Sequence, residues 1–213
     1  MTPAPTPAMT APARLCAALI AVLGLVGLAW QFHLQGDTPD LVPWGARAWH
    51  MARYYTHLTN LLLALYLARV ALTGISGANG AMTLTLSILM VGIIYRLLLA
   101  PAEPLAAPNW YPDFILHVAI PVLMALWWLT FADKTLRLAA LPIWLSLPAL
   151  YCAYALIRGT IAGSYPYFFF DISRFGVGQV LMYCAGLVAV FALCGLCLWA
   201  TGRAMSRRRS PSL

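Results

Sequence analysis

The chain has 213 residues, of which 62% are hydrophobic and 9% charged, with a mean hydropathy of +0.81. Soluble domains carry about 25% charged residues, so this composition excludes a water-soluble globule and points to an integral membrane protein. The net charge of +7 owes much to a C-terminal run, RAMSRRRS, directly after an apolar segment; it reads as an anchor on anionic lipid headgroups and gives no support to nucleic-acid binding.

In chain order, MTPAPTPAMTAPAR has no apolar periodicity, and residues 1–13 are expected to form a disordered tail. A spanning helix needs about 20 mostly apolar residues. Six windows meet that requirement: 15–33, 54–73, 82–100, 114–132, 138–157 and 175–200. The first is too long for a signal peptide and is preceded only by Arg14, so it is read as a membrane helix. Between the windows lie QGDTPDLVPWG, GISGANG, APAEPLAAPNWYP, ADKTLR and RGTIAGSYPYFFFDISR, all rich in chain-breaking residues. The expectation is an all-α polytopic membrane protein: a six-helix bundle over 14–202 followed by a basic tail over 203–213. No internal repeat stands out, which argues against inverted-repeat transporter folds.

Six spans put both termini on one side. That side carries Arg14, Arg69, Lys134, Arg137, Arg203, Arg207, Arg208 and Arg209, against Arg47, Arg53, Arg96, Arg158 and Arg174 on the other. The positive-inside rule places the termini in the cytoplasm. Asp37, Asp40, Glu103, Asp113 and Asp171 then lie on the outer side, so polar chemistry concentrates there.

Ionisable groups at membrane depth usually face a protein interior or a wet cavity. In the second window, Arg53, Thr56, Thr59 and Asn60 share a helical stripe, with His57 about 100° away from Thr56. In the fourth, Asp113 and His117 are four residues apart and stack on one face, so Asp113 either orients the imidazole or caps the helix. Pro121 has no N–H for the His117 carbonyl and should kink the helix there. Thr56 and His117 fall at similar depth, which suits a threonine nucleophile with a histidine base. Asn60, Arg53, Arg96 and Arg158 are candidates to hold an oxyanion or a carboxylate headgroup, and Thr59 is a reserve nucleophile. The same hydroxyls and amides serve equally well as helix-packing glue. GSYPYFFFD suits either an interfacial belt or a lid on the outer layer.

Other signals lead nowhere: GISG lies in an inner loop, CGLC sits in an apolar helix, and the histidines lack the paired intrahelical spacing of membrane haem sites. No cofactor or metal is expected.

YYTHLTNLLLAL, LHVAIPVLMALWWL and LPALYCAYALIRGTIAGSYPYFFFD together resemble the androgen-induced protein family of six-helix membrane threonine hydrolases, in its bacterial branch. Animal members cleave fatty acid esters of hydroxy fatty acids with one threonine and one histidine. The resemblance implies that Thr56 and His117 are that pair, that the substrate is a membrane lipid ester, and that the protein resides in a bacterial inner (plasma) membrane. The chain departs from the family pattern at His57, Trp127 and Phe168. The alternative is a non-catalytic membrane protein that binds or transports a lipid or small solute in the same outer cavity.

Overall fold

A computed structural model describes residues 8–35, 43–101 and 108–209, all of them helix or connecting turn. Helices α1 (Ala11–Leu34), α2 (Trp44–Met51), α3 (Tyr55–Thr73) and α4 (Ala78–Ile94) come first, α4 being extended by a π-turn over Tyr95–Leu99. Next come α5 (Trp110–Phe114), a π-turn over Ile115–Ala119, and α6 (Ile120–Phe131). The series ends with α7 (Leu141–Trp144), α8 (Ser146–Ala162) and α9 (Ile172–Arg209). Among the described residues, six helical stretches are long and apolar enough to cross a membrane: Ala11–Leu34, Tyr55–Thr73, Ala78–Leu99, Trp110–Phe131, Leu138–Ala162 and Ile172–Arg207.

Each expected window thus falls within or across one of these six helical stretches. The ends differ. Ala11–Ala13 already belong to α1, and the Met9 amide donates to the Gly74 carbonyl at 2.8 Å, so the expected N-terminal tail is shorter than 1–13. Residues 1–7 lie outside the described set. At the other end α9 continues through Arg203 and Arg207, breaking only at Gly176, where φ is +73°. The sequence reading missed α2 altogether; it exposes Trp44 and Trp49, the residue type that settles at a membrane–water interface.

Small residues let α1 approach α3 closely: Ala13, Ala17, Ala21, Gly24 and Gly27 are buried along one face of α1. The buried residues of α3 include Thr56, Thr59, Asn60, Leu63, Ala64, Leu67 and Val70, and Ala64 meets Gly24 of α1. In lipid, such contact is driven by van der Waals packing and interhelical hydrogen bonds, since hydrocarbon surrounds the helices whether or not they pair. The opposite face of α1 presents Leu15, Leu19, Val22 and Val26 outward. The most enclosed span is α4, packed against α3, α6, α7, α8 and α9.

Cations close the helix ends at one end of the bundle. Arg14 donates from Nε to Ala71 O at 2.8 Å and from Nη2 to Leu72 O at 2.9 Å, covering the last turn of α3. Lys134 Nζ does the same for α6 through Trp128 O at 2.9 Å and Ala132 O at 3.0 Å. Carbonyls in a last helical turn lack the full helical ladder, although Trp128 O also accepts from the Ala132 amide at 3.2 Å, and an adjacent cation complements the helix dipole.

Candidate functional site

At the opposite end, the kink expected beside His117 takes the form of a π-turn. Its Ile120 amide donates to Ile115 O, five residues back. The next donor in that register would be residue 121, which is proline, so the Leu116 carbonyl has no helical donor. Asn60 supplies one: its Nδ2 reaches Leu116 O at 3.3 Å and Thr56 O, on its own helix, at 2.8 Å. The His117 carbonyl faces Gly92 of α4, where a β-carbon would lie 2.9 Å from it. Only glycine gives the π-turn this close a neighbour.

This bracing brings two expected residues together. Thr56 Oγ1 lies 3.3 Å from His117 Nε2. On the far side of the ring, Nδ1 stands 3.0 Å from Asp113 Oδ1 and 3.1 Å from the Asp113 carbonyl. Both neighbours of Nδ1 are acceptors, so this nitrogen carries the ring proton. Nε2 keeps its lone pair and accepts from the Thr56 hydroxyl. Asp113 therefore orients the imidazole; the N-cap position belongs to Asn109.

Two tyrosines complete the site, and the sequence reading named neither. Tyr95, in the π-turn after α4, stacks on the His117 ring with centroids 3.8 Å apart and planes 16° from parallel, its hydroxyl beside Asp113. Tyr167 comes from the aromatic loop after α8. Its hydroxyl accepts from the Tyr55 amide at 3.1 Å, at the N-terminus of α3, and lies next to the Thr56 side chain. Burial within the aromatic cluster pushes the Tyr167 phenol up from its ordinary pKa, so it stays an O–H donor at neutral pH. The loop is seated by Tyr165, whose ring lies flat against Gly159 of α8; a β-carbon there would fall 2.1 Å from the ring.

Thr56 borders a narrow cleft of about 50 Å³ between α3, α4, α8, α9 and the aromatic loop. Its walls are mainly apolar, among them Met90, Ile94, Leu187, Phe169, Phe170 and Phe191.

The remaining candidates turn elsewhere. Thr59 is buried beside the Tyr55 hydroxyl. His57 donates through Nδ1 to Met51 O at 3.0 Å, so it binds the end of α2. Arg53 donates to Ser164 Oγ at 2.9 Å, Arg158 to the Tyr154 hydroxyl at 2.7 Å and to the Trp49 carbonyl, and Arg96 is exposed. Among the described residues, no hydrogen bond or ion pair joins any of the three arginines to the Thr56–His117 pair. Asp171 caps α9, its Oδ1 accepting from Ser173 N at 3.0 Å and Arg174 N at 3.2 Å. Asp37, Asp40 and Glu103 lie outside the described residues. The Asn60 Oδ1 is buried without a partner.

No protein-family model, curated protein or solved structure matches this chain.

Proposed function

We propose that the protein is a membrane-embedded hydrolase of lipid esters, of the kind in which a hydroxy fatty acid is esterified by a second fatty acid, with Thr56 as nucleophile and His117 as base. The observation that carries this reading is the continuous Thr56–His117–Asp113 arrangement, with the threonine hydroxyl at the mouth of an apolar cleft. A threonine hydroxyl is a weak nucleophile unless a base takes its proton, and a base works best when a third group fixes its tautomer.

The chemistry proceeds in two steps. Thr56 Oγ attacks the ester carbonyl while its proton moves to His117 Nε2. The resulting oxyanion receives the Tyr167 O–H and the α3 N-terminal dipole. Collapse expels the alcohol, which takes the proton back from Nε2, and leaves an acyl-threonine. Water, deprotonated by the same nitrogen, then attacks the acyl carbonyl; collapse breaks the acyl–Oγ bond, Thr56 Oγ takes the proton back from Nε2, and the acid is released. His117 and Asp113 side chains are 15% and 22% exposed, which leaves this end of the site within reach of water.

The charge distribution supports an orientation with both termini in the cytoplasm, the basic C-terminal end against anionic lipid, and the site near the outer face of a bacterial plasma membrane. The likeness of three segments to the androgen-induced protein family supports the same substrate class.

The test uses purified protein, a long-chain alkyl phosphonate probe and an ester of a hydroxy fatty acid. The wild type should be labelled and should release free acid; Thr56→Ala should lose both, and Thr59→Ala should keep both. Absence of labelling in the wild type, or unchanged hydrolysis by Thr56→Ala, overturns the proposal. The mainly apolar cleft also suits plain lipid binding, and lipid that co-purifies intact and binds His117→Ala equally well would decide for that reading.

A further inference from the structure

We infer that the outer end of the bundle carries a binding site for an anionic phosphate group, separate from the Thr56–His117 cleft. The site is an open basin of about 570 Å³ between the end of α1, α2, the start of α3 and the end of α8, lined by Gln35, Arg47, His50, Arg53, Arg158 and Ser164.

Three features make this a site. First, two of its guanidinium groups, those of Arg53 and Arg158, are positioned by uncharged partners. Arg53 is held by Ser164 through its carbonyl at 3.2 Å and its hydroxyl at 2.9 Å. Arg158 is held by the Tyr154 hydroxyl and the Trp49 carbonyl, with its guanidinium carbon 3.8 Å from the centre of the Trp49 ring. All these partners are uncharged, and among the described residues no carboxylate pairs with Arg53 or Arg158. Second, the arginines act on a common point: burial lowers the pKa of His50, and the fields of Arg53 and Arg158 lower it further. Gathering like charges around one basin is unfavourable unless a bound anion compensates them. Third, the level is right. Trp44 and Trp49, both exposed on α2, mark the membrane interface, where phospholipid phosphates lie.

Two arginine forks offer more donors than one carboxylate can accept, and they suit the several oxygens of a phosphate. The source is either the headgroup of an anionic phospholipid or a free phosphate-bearing solute.

The experiment has two arms and uses the full chain. Protein in nanodiscs of phosphatidylcholine and phosphatidylglycerol is released for native mass spectrometry, and protein in detergent is titrated with inorganic phosphate while its thermal unfolding is followed. The variant is Arg47→Gln/Arg53→Gln, which leaves the Arg158 tethers in place; Arg69→Gln, at the opposite end, is the charge control. A lipid headgroup site predicts that the double variant retains about tenfold less phosphatidylglycerol than either the wild type or Arg69→Gln. A solute site predicts that phosphate raises the melting temperature of the wild type and not of the double variant, with lipid retention unchanged. The inference is overturned if the wild type and double variant behave alike in both arms, or if Arg69→Gln loses as much as the double variant. Labelling by the phosphonate probe reads the cleft independently, so failure here leaves the hydrolase proposal standing.

Discussion

Replacing Asn60 tests how the π-turn before α6 is held. Asn60→Ala removes the donor to Leu116 O, a carbonyl whose place in the helix ladder faces the nitrogen of Pro121. A buried acceptor left unpaired costs about 1–3 kcal/mol. Interhelical hydrogen bonds within membranes average about 0.6 kcal/mol and reach about 1.7. Together these set the expected loss at about 1–2 kcal/mol. The decisive variant is the double one, because Pro121→Ala restores an N–H that can close onto the Leu116 carbonyl. In that background Asn60→Ala should cost clearly less, giving a coupling energy of about 1 kcal/mol in a double-mutant cycle. Cavity effects at residue 60 are common to both arms and cancel. Equilibrium unfolding in micelles, read by steric trapping, supplies the four free energies. Additivity within about 0.3 kcal/mol would refute the claim that Asn60 stands in for the missing proline donor.

Three further outcomes follow from the same geometry. Asp113→Asn keeps the contact with His117 but loses the charge that favours the Nδ1–H tautomer, so phosphonate labelling of Thr56 should slow about 100-fold with thermal stability little changed; equal labelling would remove Asp113 from the site. Gly92→Ala places a β-carbon 2.9 Å from His117 O, and the forced displacement should cost about 1–3 kcal/mol by the same unfolding assay. Gly159→Ala drives a β-carbon to 2.1 Å from the Tyr165 ring; limited proteolysis with chymotrypsin should cut faster at the aromatic loop, and an unchanged rate would show that this contact does not hold it.

The spans were legible because lipid imposes both a length and an apolar composition on each of them. The Thr56–His117 pairing was legible for a related reason: two helices entering from one surface place residues one turn in at a common depth. Arg53 was misjudged because its direction was taken from helical periodicity, whereas α3 begins only at Tyr55 and Arg53 belongs to the preceding turn. His57 lies inside the helix, but a carbonyl at the end of α2 claims it, and an eight-residue helix in a polar break left no periodic signal. Tyr95 and Tyr167 escaped notice because aromatic residues are common at membrane interfaces, and only tertiary placement separates a ring stacked on an imidazole from one facing lipid.

The wide turn that carries His117 also makes rotational phase adjustable along the fourth span. Such a turn accommodates one residue more than a regular α-helical turn, and each residue added to or removed from a helix swings everything beyond it by about 100°. Deleting a single amino acid from Ile115–Ala119 would restore an unbroken helix on either side while pointing the imidazole and the hydroxyl to different sectors of the bundle. Chains that share all six spans can therefore differ in whether these two groups meet, through one codon that hydropathy would not register.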